Sequence, residues 1–113
     1  MKRIEAIVRP HKVPLVLAAI AKHGITNVTV LEVLGLARQI SFSRVWEPAS
    51  PNPETATGLI PKRLIVLFLR DNEVQSVVDL IRSIAYTGEP GDGKIAISPL
   101  DDVVRIRPKE TAK

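Results

Sequence analysis

The chain has 113 residues, of which 45% are hydrophobic and 25% charged, with a formal net charge of +4 and no cysteine. This length predicts a single domain over residues 1–113, and the scarcity of aromatics (two Phe, one Trp, one Tyr) makes its core aliphatic. The composition excludes disulfides and thiolate metal sites and fits a reducing, cytoplasmic setting; it offers no interleaved aromatics for stacking nucleic-acid bases and no apolar run near the roughly 20 residues of a membrane span.

Lys2 to Arg9 alternates as a strand, with Ile4, Ala6 and Val8 on one side and Arg3, Glu5, Ile7 and Arg9 on the other. Glu5 and Arg9 also break any apolar stretch that a signal peptide would need. Pro10 stops the strand. Val13, Val16, Leu17 and Ile20 then follow the spacing of a helix with one buried face, with Pro14 in its first turn and Gly24 as its stop. Asn27 to Leu36 is a second β-rich run.

Regular patterning disappears from Ala37 to Ile60, where Pro48, Pro51 and Pro53 fall close together. Loops this long serve as lids, binding loops or disordered segments, and Arg44 and Trp46 are its candidate partner contacts. Lys62 to Arg70 is a third strand, and its apolar run Leu64 to Leu69 implies burial on both faces. Asn72 is the expected N-cap for a helix that carries Val74, Val77, Val78, Ile81 and Ile84 and ends at Gly88. Two short strands follow, Lys94 to Ser98 and Val103 to Arg107, separated by Pro99; the remainder is a polar tail.

The chain repeats itself. Val13, Val16, Leu17 and Ile20 return 61 residues later as Val74, Val77, Val78 and Ile81, and Lys2-Arg3-Ile4 returns as Lys62-Arg63-Leu64. Two β-α-β halves give an α+β, ferredoxin-like β-α-β-β-α-β fold with an extra short C-terminal strand. Its two helices cover only one face of the sheet, so the apolar second face predicts an oligomer.

The densest chemistry lies in Thr87-Gly-Glu-Pro-Gly-Asp-Gly-Lys94 together with Arg105 and Arg107. Closely spaced glycines let backbone N–H groups approach an anion, and Lys94 and the two arginines add charge. Gly88 through Lys94 fits the Walker A spacing, but Ile95 replaces the Mg²⁺-binding Ser or Thr, and the loop runs from helix to strand instead of strand to helix. A P-loop NTPase is rejected. Taken alone, Gly88 is a helix C′ residue and the rest a tight turn.

Several segments together resemble the PII nitrogen-regulatory signalling family. They are Lys2-Arg-Ile-Glu-Ala-Ile-Val-Arg-Pro10, Gly24-Ile-Thr-Asn-Val-Thr-Val30, Gly35-Leu-Ala-Arg-Gln39, Leu59-Ile-Pro-Lys62, Thr87 to Ile95, and Val104-Arg-Ile-Arg107. The resemblance implies a homotrimer binding ATP or ADP, with AMP a further candidate, in clefts between subunits. It names a T-loop at about residues 37–60, a B-loop at 87–94 and a C-terminal segment at 103–113. Gly91, Asp92, Gly93 and Lys94 would hold the nucleotide phosphates beside Thr87, with Arg105 and Arg107 clamping them from an adjoining subunit. Thr29, Gly35 and Arg38 would line the cleft, Gln39 would help hold Mg²⁺, and Lys62 would pair with a carboxylate of 2-oxoglutarate.

Departures from the family pattern accompany these matches. The long loop has no tyrosine to uridylylate, is about four residues longer than usual and is rich in proline. Leu36-Ala37 replaces Phe-Gly, Glu89-Pro90 replaces Lys-Ile, and Val66 stands where many relatives carry Glu. The expectation is a sensor, not an enzyme, that regulates a membrane transporter or metabolic enzyme through its long loop, with 2-oxoglutarate or bicarbonate as second ligand. A small phosphate-transferring enzyme is the rival class. It has cations for developing charge but no evident nucleophile or base, since His11 and His23 fall at helix ends.

Overall fold

The alternation of the first segment becomes strand β1, Lys2–Val8, with Ile4, Ala6 and Val8 buried. The computed structural model describes residues 1–36 and 58–107. After β1 comes a 3₁₀ turn at Pro10–Lys12 that leads into helix α1, Val13–Lys22. Val16 and Ile20 form its buried stripe, and the helix stops just before Gly24, whose N–H reaches the Ala21 carbonyl at 2.9 Å. Strands β2, Thr29–Leu36, and β3, Leu59–Leu69, flank the long loop; helix α2, Asp71–Ala85, and strand β4, Lys94–Pro99, complete the fold.

The sheet has the order β2-β3-β1-β4, and every ladder is antiparallel. This is the ferredoxin-like arrangement, with β3 and β1 at the centre. Ile4 faces Leu67 and Ala6 faces Ile65 across β1 and β3, so residues directly opposite share a face. Those side chains meet Val16 and Ile20 of α1 and Val77, Val78, Ile81 and Ala85 of α2 in one aliphatic core.

The other face is left uncovered by the described residues of the single chain. Leu31 and Phe68 are 44% and 46% exposed, and Leu64 and Val66 lie half-buried between them. β3 is therefore buried on one face and apolar on both, as the run Leu64 to Leu69 anticipates for a strand awaiting a second cover.

Several boundaries differ from the sequence expectation, four of them by more than a residue or two or by a change of capping residue. β3 begins at Leu59 and runs through Pro61; there it pairs with Leu34 of β2 but has already passed the end of the β1 ladder, so the missing N–H disturbs no central pairing. Arg70, not Asn72, occupies the N-cap of α2: Glu73 Oε1 accepts the Arg70 N–H at 3.1 Å, which leaves Asn72 inside the first turn. That helix ends at Ala85 instead of Gly88, because Thr87 and Gly88 give their N–H groups to Asp92. Val103–Arg107 forms no strand, since a strand exists only as a ladder and this segment has no ladder partner among the described residues.

No helix among the described residues is long and apolar enough to cross a membrane. Because Ile65 is fully buried where both helices converge on the sheet, Ile65→Ala should lower the unfolding free energy by about 2–5 kcal/mol in urea titrations. Leu15→Ala, on the 56% exposed side of α1, should shift it by no more than about 0.5 kcal/mol.

Candidate functional site

Antiparallel pairing of β1 and β3 places two cations side by side. The last paired residues are Val8 and Arg63, and one further step brings Arg9 beside Lys62. Both belong to the face opposite the helices, the face of Ile7, Leu64, Val66 and Phe68. Lys62 is nevertheless only 9% exposed, because the loop after α2 folds over it.

That loop, residues 86–93, crosses the ends of the central strands before β4 pairs with β1 at Ile7–Lys94. Gly93 makes the crossing with φ +109°, and a Cβ there would lie 1.8 Å from the Ile7 carbonyl oxygen. Only glycine lets the backbone pass so close. Gly91, at φ +96°, brings its Cα beside the cations, where a Cβ would sit 3.3 Å from Arg9 Nη2 and 3.5 Å from Lys62 Nζ.

The two cations hold the loop through its carbonyls. Arg9 Nη2 donates to the Pro90 carbonyl at 2.7 Å, and Lys62 Nζ donates to the Gly91 carbonyl. Burial lowers the Lys62 pKa below the usual lysine value, the neighbouring Arg9 guanidinium lowers it further, and Asp92 partly offsets both.

Asp92 is the centre of the loop's internal bonding. Its Oδ2 accepts the N–H groups of Thr87 and Gly88 at 2.8 and 3.0 Å. Its Oδ1 accepts the Thr87 hydroxyl and the Arg9 Nε–H, the latter at 3.3 Å. Desolvation pushes the carboxyl pKa upward, but the Thr87, Gly88 and Arg9 donors outweigh it and hold the group well below the ordinary carboxylate range. Thr87 Oγ1 in turn accepts the Glu89 N–H at 3.1 Å.

Thr87, Gly91, Asp92, Gly93, Lys94 and Lys62 are thus gathered at one end of the sheet. Thr29 and Gly35 lie on β2 and share the open face with Lys62, and a Cβ on Gly35 would meet Lys62 Cγ at 3.4 Å. Arg105 and Arg107 follow a segment that leaves the sheet at its other end, where the Leu100 N–H meets the Met1 carbonyl at 3.2 Å. Arg38, Gln39, Arg44 and Trp46 lie outside the described residues.

Arg9 is the site residue that sequence reasoning missed. The available signal was the strand order. In a ferredoxin-like sheet β1 and β3 are antiparallel neighbours, so a cation just after β1 lands beside a cation just before the apolar run of β3.

Comparison with known proteins bears on this arrangement. The family model described as "Nitrogen regulatory protein P-II" matches residues 1–110. The chain is 42% identical to the nitrogen regulatory protein P-II of Microchaete diplosiphon over 110 residues, covering 97% of this chain and 95% of that one. It is 40% identical to nitrogen regulatory protein P-II 2 of Methanothermobacter thermautotrophicus over 113 residues, covering 100% of this chain and 95% of its relative. The crystal structure of Arabidopsis thaliana PII bound to citrate superposes with a TM-score of 0.75 at 34% identity, covering 96% of this chain and 85% of that one. Family members are regulatory proteins, characteristically trimeric, and nucleotide binding is general among them. With the fold, the glycine loop and the full-length match in agreement, this chain belongs to the nitrogen regulatory protein P-II family.

Proposed function

We propose that this chain is a trimeric signal-transduction protein and not an enzyme: it binds ATP or ADP at the B-loop and reports the bound ligand to a transporter or metabolic enzyme through residues 37–60. The observation that carries this reading is the B-loop itself. Gly91 and Gly93 bring backbone close to Arg9, Lys62 and Ile7, in a local field of three cations (Arg9, Lys62 and Lys94) against Asp92. Polyphosphate suits such a site, where fixed N–H groups and cations meet charge without reorganising.

Subunit contact is part of the reading. The open face presents Leu31, Leu64, Val66 and Phe68, and Val104 and Ile106 are 80% and 101% exposed in the single chain. Apolar surface of this extent marks an interface. The C-terminal segment departs at the end of the sheet away from its own B-loop, which supports Arg105 and Arg107 serving the B-loop of an adjoining subunit. Thr29, Gly35 and Arg38 complete the cleft, and Gln39 is proposed as an Mg²⁺ ligand, an oxygen donor suited to a hard cation.

A second, smaller anion is proposed at Lys62. The Lys62 amine already faces a carbonyl oxygen, and a carboxylate would be a stronger partner. 2-Oxoglutarate and bicarbonate are the candidates, and a relative of the same fold solved with citrate supports a small carboxylate. A ligand reorders the long loop only through its differential affinity for the loop's states. With Lys62 three residues into β3 and Gln39 three beyond the end of β2, both lie at the base of that loop, where such a difference can arise.

Calorimetry with ATP, ADP and AMP, each with and without 2-oxoglutarate or bicarbonate, tests the reading. Lys94→Ala and Arg107→Ala should each weaken nucleotide binding at least about tenfold with no loss of folding, as expected for charged hydrogen bonds. Unchanged affinity in both would refute the assigned site. The lowered pKa of Lys62 has a sign: its charge is lost at lower pH than that of an ordinary lysine, so affinity for the small anion should already fall as pH approaches the usual lysine value of 10.5 from below. Titrations of Lys62→Met should lack that alkaline limb.

A further inference from the structure

A carboxylate has about four lone-pair positions, and Asp92 has four donors on them: Thr87 N–H, Gly88 N–H, the Thr87 hydroxyl and Arg9 Nε–H. A side chain so filled has no site left for a metal ion or a ligand donor, and its charge would repel a phosphate. Its bonds instead close residues 87 to 92 into a ring, and that ring stands immediately before Gly93 and Lys94. Arg9 joins the ring to the sheet, since the guanidinium that meets Asp92 also donates to the Pro90 carbonyl at 2.7 Å. Gly91 is part of the same fit, because a Cβ there would press on Arg9 Nη2 at 3.3 Å.

We infer that Asp92 is a positioning residue whose side chain, anchored by Arg9, sets the shape of the B-loop and thereby its nucleotide affinity without touching the nucleotide. This rests on the nucleotide-binding reading of the loop. The ring sets the starting point of Lys94 and the direction of the backbone at Gly93, two of the positions that face the phosphates in that reading. Without the carboxylate, the N–H groups of Thr87 and Gly88 lose their acceptor and become free to extend α2, whose last residue is Ala85. The loop would then sample conformations in which Gly93 no longer crosses over Ile7.

The experiment is calorimetry of ATP and ADP binding to the full-length protein carrying Asp92→Ala, Arg9→Met or both; alanine removes every acceptor of the ring, whereas asparagine would keep one. A simple charge effect and a positioning role predict opposite signs. Removing a negative charge beside polyphosphate would tighten binding, whereas losing the ring should weaken it about tenfold or more. In the Asp92→Ala background, Arg9→Met should cost clearly less than it does alone, as for residues that act through one another. Hydrogen exchange of the nucleotide-free protein supplies an independent readout: in Asp92→Ala the Thr87 and Gly88 amides should exchange at least about tenfold faster, with β1 and β3 amides unchanged. Tighter or unchanged nucleotide binding in Asp92→Ala, strictly additive losses, or unaltered exchange at those amides would each overturn the positioning role. An unsubstituted protein that binds neither nucleotide would overturn the reading beneath it, an outcome distinct from all of these.

Discussion

Two helices shield one face of a four-stranded sheet, and the second face carries Leu31, Leu64, Val66 and Phe68 with nothing among the described residues placed over them. Burying a large apolar side chain is worth about 1.5–3 kcal/mol, so several left half in water favour association strongly. The position of the site follows from the same asymmetry. Arg9 and Lys62 project on the open face at the ends of the central strands, and the loop after α2 must reach that face before β4 can pair with β1. The site therefore lies at the margin of the surface left for a neighbour.

Within the site, the cations that hold the loop are also those assigned to the ligand in the proposed function. The loop contains three glycines with positive φ, residues that lose more backbone entropy on folding than any other, and little apolar surface to offset that loss. Hydrogen bonds to charged groups take its place: Asp92 inside the loop, Arg9 and Lys62 from the sheet beneath. A loop held in this way is ordered but polar, and its cations remain close to the surface. That combination suits reversible anion capture, since an incoming anion exchanges one set of polar partners for another and disturbs no apolar packing.

Much of the architecture was legible in the residues. Ile4, Ala6 and Val8 announced β1, the apolar spacing of α1 and α2 announced both helices, and the 61-residue offset between them announced the paired halves. The glycine loop stood out because Gly91, Gly93 and Lys94 form a dense local pattern. What escaped was contact between distant residues. Arg9 looked like the last residue of a strand, and Asp92 like a residue whose role was ligand holding or turn formation; neither position reveals that the two side chains meet across 83 residues. Boundaries moved for similar reasons: α2 stops at Ala85 because of an acceptor seven residues further on, and Val103–Arg107, alternating as it is, has among the described residues no neighbour that would make it a strand.

By itself, then, the order of residues determined the elements, their sequence along the chain and the existence of a glycine-rich loop ending in a cation, because periodicity and glycine placement act over a few residues. Only the tertiary structure decided which cations underlie that loop, which way Asp92 turns and which apolar face remains open. Those depend on strand order and register, which bring together groups that the linear chain keeps far apart.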